Sequence, residues 1–449
     1  MTVKQLSDLL RHLQQDLREP QPERAGFRQI TRSLTLCDTS ETLSDASELL
    51  PWLATQPVYP QFYWQHRQDR EEAAVCGKVC GFHHLQDAEA FLVQQQCDPD
   101  VRIWGLNAFN QITEGGTSSP GYLFLPRAEL RRQDDMLSLS INLFSETSLQ
   151  QDADEASAFI NLLLPPEPLP ILHAEVQAVG HQPERQGWID LLQRALHDIN
   201  SGLMEKVVLA RTTTLTLTQP LQATTFMAAS RAANHHCFHF MLAHDARHAF
   251  LGSSPERLYR RWGRELETEA LAGTVASDRD ALKAAELASW LMKDTKNQHE
   301  NMLVVDDICQ RLQQSALSLD VMPPEIVRLR KVQHLRRTIH ATLRTASDSA
   351  CLDALQPTAA VAGLPRQEAR RFIAAHEPFE RGWYAGSAGY LSRQQSEFSV
   401  ALRSAEVRDH VLTLYAGAGI VAGSDPEQEW QELENKASGL RSLLDGDMS

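Results

Sequence analysis

The segment "DPEQEWQELENK" carries Glu427, Glu429, Glu432, Glu434 and Lys436. Glu429 and Glu432 are three residues apart, so a helix presents both on one face, and Lys436 falls on the same side one turn after Glu432. In a second helical segment, "TKNQHENMLVVDDICQRL", Glu300 shares a stripe with Leu303 and Asp307. A carboxylate on an apolar face has to be paired, protonated or bound to a cation. Glu300, Glu429 and Glu432 converging from two helices would suit Mg²⁺, a hard ion that takes oxygen ligands and keeps waters. Taken singly, each acid is also accounted for as a solvated charge, and Glu432–Lys436 as a surface pair of about 0.3–0.5 kcal/mol.

A lysine poses a second chemical question. "MEKVVLARTTTLTL" reads as a strand entering a core, and Lys206 stands at its mouth. A charge there is costly unless it is solvated or used. Three glycine clusters adjoin strands: "EALAGT" (Glu269–Thr274), "YAGSAGYL" (Tyr384–Leu391) and "YAGAGIVAGS" (Tyr415–Ser424). The first ends a strand and the other two read as turns. Such glycines let backbone approach a ligand and point N–H groups at oxyanions. None has the following helix that a phosphate or dinucleotide loop requires.

Other clusters carry less. His235, Cys237 and His239 alternate onto one strand face, as a metal site would need, but a core or edge histidine is the commoner use. The basic run "VRLRKVQHLRR" (Val327–Arg337) reads as a solvated strand or an internal charge partner. Cys76 and Cys80 lack the second pair that a zinc site needs.

The elements that must hold these residues are legible in outline. The prolines of Asn161–His173 break the chain and join two parts of one domain. Trp188–Gly202 has helical periodicity with Gly202 as a stop. Strands dominate from Lys206 to Val275 and again from about Gly382 to Gly419. Two helices, broken near Asp294–Thr295, occupy Ala281–Gln314, and the last helix takes Asp425 as N-cap and Pro426 as first residue. Strands and helices arrive in blocks, which is the α+β pattern.

The bulk numbers exclude several classes. With 449 residues, 42% hydrophobic and 22% charged, the chain can build a large core. A formal charge of −15 opposes nucleic acid and anionic membranes. The amphipathic N-terminus has no signal-peptide core, and no apolar run reaches the ~20 residues of a bilayer span. Seven scattered cysteines suggest reduced thiols and a cytoplasmic setting.

The blocks "KVVLAR", "GSSPERL", "EALAGT", "HENMLVVDDI", "QPTAAVAGLPR", "RGWYAGSAGYL", "VALRSAEV" and "YAGAGIVAGSDPEQEWQELENK" stand in the order seen in chorismate-utilising enzymes. The chain resembles that family from roughly Asn200 to Leu444. "YPQFYWQ" and "RIWGLNAF" extend the likeness over the N-terminal part, toward the isochorismate synthase branch that serves menaquinone synthesis in enteric bacteria.

The resemblance implies two large antiparallel β-sheets packed together with helices outside and a cleft between. Residues 1–150 would be a divergent N-terminal part of the fold and 174–445 the chorismate-binding catalytic region. It implies Mg²⁺ held by Glu300, Glu429 and Glu432, with Lys436 the lysine that follows. Arg403 and Tyr384 match the positions that hold the enolpyruvyl carboxylate, for which an arginine fork is suited. Gly273, Thr274, Gly417 and Gly419 match anion-cradling turns. Lys206 matches a general base that takes a proton from water attacking C2, and Glu256, in "SSPER", the acid that protonates the departing C4 hydroxyl. An amine acts as a base only in its neutral form, which burial or nearby positive charge favours.

Two positions select the branch. Anthranilate synthases carry glutamine in place of Lys206. Aminodeoxychorismate synthases carry a nucleophilic lysine where this chain has Ala272. Water is then the nucleophile, no glutaminase subunit is implied, and a monomer or weak homodimer is expected. The alternatives are a salicylate synthase and a non-catalytic chorismate binder. The chain departs from the family pattern at Asn301, Gln356 and Ala362.

Overall fold

The computed structural model describes residues 3–36, 49–110, 121–278 and 280–444. Cys37 and the last residue of the expected catalytic region, 445, lie outside them. No described helix is long and apolar enough to cross a membrane.

The architecture is α+β, built on two antiparallel layers as expected. One layer runs Val176–Gln182, Lys206–Leu217, Val411–Val421, Ser404–Arg408, His248–Ser254, Phe238–Ala243, Gln61–Gln65 and Glu71–Phe82. The other runs Ile103–Asn107, Ser387–Leu391, Gln395–Val400, Arg257–Trp262, Glu265–Ala276 and Val332–Leu343. The strand Tyr122–Gln133 pairs with both Glu71–Phe82 and Ile103–Asn107, so the layers are hydrogen-bonded into one continuous sheet. Strands from residues 61–133 therefore sit inside both layers rather than beside them.

Alternating apolar residues fill the space between the layers. Trp64 packs its ring edge-on against Tyr390 of the other layer, 5.5 Å between centroids, and lies 6.1 Å from Trp104. These side chains are fully buried or nearly so, and such rings dominate a core's energetics.

Helix boundaries follow local chemistry. Asp294 caps Thr295–Leu312 by accepting from Asn297 N. Asp425 caps Pro426–Arg441 by accepting from Glu427 N and Gln428 N, with Pro426 at the first position. The helix Arg185–Asn200 stops before Gly202, whose φ is +79°. Arg211 fastens the last helix to the strand that carries Lys206. Its guanidinium lies 2.6 Å from Glu434 and 4.1 Å from the Trp430 ring centroid.

Two crossings between the layers matter for the site. Pro255 and Glu256 link His248–Ser254 of the first layer to Arg257–Trp262 of the second. Residues 401–403 link Gln395–Val400 back to Ser404–Arg408. The crossings are joined: Val400 N donates to Glu256 O (3.0 Å), and Ser253 N donates to Arg403 O (3.1 Å). A chain leaving a ladder frees its side chains from the two faces of the sheet, and both crossings aim a charged residue into one cavity.

Candidate active site

A cavity of 560 Å³ opens between the ends of the two layers and the helices Thr295–Leu312 and Pro426–Arg441. Every residue that the sequence assigns to the site lines it: Lys206, Glu256, Gly273, Thr274, Glu300 and Tyr384, and also Arg403, Gly417, Gly419, Glu429, Glu432 and Lys436.

Lys206 is the first residue of its strand and is 1% exposed. Its Nζ lies 2.9 Å from Glu300 Oε1. The answer to its costly position is therefore a carboxylate partner on the wall of a cavity. Burial pushes the Glu300 carboxyl up, but Lys206, helped by Lys436 and Lys296, holds it below the usual range.

Glu256 is 2% exposed, and among the described residues its Oε1 has no hydrogen-bond partner. Burial, then the charge of Glu269, pushes its carboxyl up to about 8, against the opposing pull of Lys206 and Lys436. A carboxylic acid that keeps its proton at neutral pH is poised to donate it.

The acids on the last helix are crowded. Burial and the neighbouring Glu432 push Glu429 up to about 7. Glu432 pairs with Lys436 Nζ at 2.6 Å. Among the described residues no three metal-ligating side chains are already gathered to hold an ion. Glu300 and Glu432 are each turned to a lysine instead. The donor set still fits Mg²⁺: three hard carboxylates on one cavity wall, two of them in like-charge conflict that a divalent cation relieves.

Arg403 holds a left-handed backbone, φ +47°, which is uncommon for a side-chain-bearing residue. Among the described residues it makes no ion pair; its guanidinium reaches only His334 Nε2, at 3.4 Å. An uncompensated guanidinium in a cavity is a receptor for an anion. Tyr384 is 2% exposed and stacks on Tyr415 with rings 5.2 Å apart at 14°.

The glycines correct one expectation. "YAGAGI" is not a turn: Gly417 and Gly419 lie inside the strand Val411–Val421, paired with Ala210 and Val208. Glycine is needed there for closeness rather than for bending. A Cβ on Gly417 would stand 2.6 Å from the Tyr384 hydroxyl, and one on Gly419 would stand 3.1 Å from Lys206 Cε. "YAGSAGYL" is likewise a turn only up to Gly386, since Ser387 begins a strand. Gly273 does bend the chain, with φ +87° at a register break between Leu271 and Thr274. Thr274 N donates to Asn297 Oδ1 at 3.1 Å, and Lys436 Nζ donates to Gly417 O at 2.8 Å.

His334 was missed in sequence. It lines the cavity, with Nδ1 3.0 Å from Thr274 Oγ1. Burial and Arg403 press its pKa down to about 3, so it is neutral. It stood unremarked in the basic run, which the structure divides between the strands Glu325–Arg328 and Val332–Leu343. His239, of the alternating histidine and cysteine set, is occupied by Ser253 Oγ at 2.8 Å.

The departures are held by local contacts, although among the described residues the buried Gln356 Oε1 has no hydrogen-bond partner. Asn301 is fully buried, and its Nδ2 faces the carbonyls of Ala270, Ala272 and Leu335 at 3.1–3.2 Å. It ties the helix of Glu300 to the strands that carry Gly273 and His334. Gln356 donates to Ala108 O at 2.6 Å, and Ala362 O accepts from Val208 N at 2.9 Å.

Comparison with known proteins bears on the fold and the family. The chain is 55% identical over 98% of its length to isochorismate synthase MenF of Escherichia coli (strain K12), covering 98% of that protein. It is 39% identical to the Haemophilus influenzae protein of the same name, over 89% of this chain and 90% of that one. The solved structure of the menaquinone-specific isochorismate synthase from Escherichia coli superposes with a TM-score of 0.92 at 54% identity, covering 98% of this chain and 99% of that one. Anthranilate synthase component I from Streptococcus pneumoniae shares the fold, with a TM-score of 0.67 at 21% identity over 83% of this chain and 92% of that one. Residues 28–445 match the model of the chorismate binding enzymes, and the chain belongs to that family.

Proposed function

We propose that this chain is an isochorismate synthase, an isomerase that moves the chorismate hydroxyl from C4 to C2 by adding water at C2 and expelling the C4 hydroxyl. The observation that carries the reading is a buried amine and a proton-bearing carboxyl, Lys206 and Glu256, on the wall of one cavity. High identity to isochorismate synthases over nearly the full chain supports it, and the menaquinone-specific relative supports a role in menaquinone synthesis.

In this reading Lys206 Nζ takes a proton from the attacking water once its pairing with Glu300 has been given up. Glu256 Oε1 delivers its proton to the departing hydroxyl, which leaves as water. The proton count closes because one group gains what the other loses, and the reverse reaction exchanges the roles. Arg403, without a carboxylate partner among the described residues, binds the enolpyruvyl carboxylate beside Tyr384. Lys436 braces the strand at Gly417, and Thr274 is anchored by Asn297 and His334. Glu300, Glu429 and Glu432 would hold Mg²⁺, which supplies charge for the ring carboxylate and polarises the allylic system.

Lys206 stands where the ammonia-using relatives carry glutamine, and Ala272 leaves no amine to attack the ring, so water is the nucleophile and no glutaminase subunit is needed in this reading. The six described cysteines are unpaired, in keeping with a cytoplasmic setting. The test is product analysis by NMR after incubation with chorismate and Mg²⁺. Isochorismate at equilibrium with chorismate is expected. Salicylate and pyruvate as main products would make it a salicylate synthase, and ligand-induced stabilisation without product would make it a binding protein.

A further inference from the structure

Glu256 is set between two peptide groups that are gripped from outside the cavity. Arg67 lies in the hairpin turn between Gln61–Gln65 and Glu71–Phe82, far away in sequence. Its guanidinium clasps Glu269 with both arms, NH1 to Oε1 at 2.7 Å and NH2 to Oε2 at 2.9 Å. The same NH1 donates to Pro255 O at 3.1 Å, on one side of Glu256. On the other side, Arg257 N donates to Glu269 Oε1 at 2.6 Å. Arg67 also lies over the Phe238 ring, 5.1 Å from its centroid, which fixes the arm that makes these contacts.

We propose that Arg67 and Glu269 are a positioning pair for Glu256: they grip its flanking peptides and set a fixed negative charge behind it, so that the carboxyl points into the cavity carrying its proton. The inference rests on the general-acid reading of Glu256. It also gives the N-terminal part of the chain a share in the site, for which its sequence offered no motif.

The electrostatics run the same way. Burial alone would push the Glu269 carboxyl up, but Arg67, with Arg257 and Arg336, holds it below the usual range, so it is a carboxylate. Arg336 NH1 stands 3.6 Å from Glu269 Oε2. The charged groups acting on Glu256 are this carboxylate and the amines of Lys206 and Lys436. A like charge disfavours ionisation and the amines favour it. Burial and Glu269 prevail, which leaves the proton on Glu256.

The pair makes two separable predictions. Glu269→Gln removes the charge behind Glu256 and keeps the side-chain shape. The Glu256 titration midpoint, read by carboxyl ¹³C NMR against a Glu256→Gln control, should move about one pH unit lower. Glu269→Asp should restore it. Arg67→Gln removes the two-armed grip and the bond to Pro255 O, so the peptide is loosened: kcat should fall about tenfold with KM within about twofold.

A Glu269→Gln midpoint equal to wild type, or Arg67→Gln with wild-type kcat, overturns the proposal. If Glu269→Gln does not fold, Arg67→Gln decides alone. The NMR titration needs no turnover, so the two readings fail separately. Undiminished turnover in Glu256→Gln removes the general acid and leaves the titration result intact.

Discussion

Lys206 Nζ and Glu300 Oε1 stand 2.9 Å apart, and this contact joins the first residue of a core strand to the helix that closes the cavity. The lysine is buried to 1% exposure, while the Glu300 side chain is 29% exposed and faces the opening. The pair turns an otherwise costly charge into a feature of the cavity wall.

Lys206→Ala should lower kcat by at least about 100-fold, the usual weight of a general base. Chorismate affinity, measured by calorimetry, should stay within about threefold, since the anion receptor at Arg403 is untouched. Weak binding with normal turnover per bound substrate refutes the assignment.

Glu256 should confer an alkaline limb on activity. Its carboxyl, at about 8, must hold a proton to act, so kcat/KM should fall as pH rises through 8. Stability follows the same sign. The folded chain binds this proton up to about pH 8, whereas an unfolded glutamate releases it near pH 4.3. The contribution is present below about pH 4 and is lost progressively up to pH 8. Glu256→Gln should therefore gain melting temperature over wild type at pH 9 relative to pH 5, while losing turnover by about 100-fold. The same difference in melting temperature from wild type at pH 5 and at pH 9 contradicts the buried, proton-bearing state.

Removal of divalent metal with EDTA should stop turnover, and added Mg²⁺ should restore it. Glu429→Gln and Glu432→Gln should each weaken Mg²⁺ binding in calorimetry by about tenfold or more. Full activity in metal-free buffer rules out the carboxylate site.

Gly417→Ala places a methyl group 2.6 Å from the Tyr384 hydroxyl, a distance that forces one of them to move. The variant should lose about 1–3 kcal/mol of stability and raise the KM for chorismate. Tyr384→Phe in the same chain should recover melting temperature, because it removes the oxygen in the way. A single variant as stable as wild type contradicts the close packing.

The local pieces of this protein were written in its sequence. Asp294, Asp425 and Pro426 mark helix starts because capping depends on neighbours two or three residues away. The spacing of Glu429, Glu432 and Lys436 put them on one helix face for the same reason. The ordered motifs also identified the fold and the residues around the cavity. Tertiary structure alone decided what those residues touch. It turned Glu300 toward Lys206, placed His334 between Thr274 and Arg403, and showed Gly417 and Gly419 to be strand residues making room for Tyr384 and Lys206. It also carried Arg67 across 202 positions to Glu269. Such contacts depend on how two layers stack and where the chain crosses between them, and no local spacing records that distance.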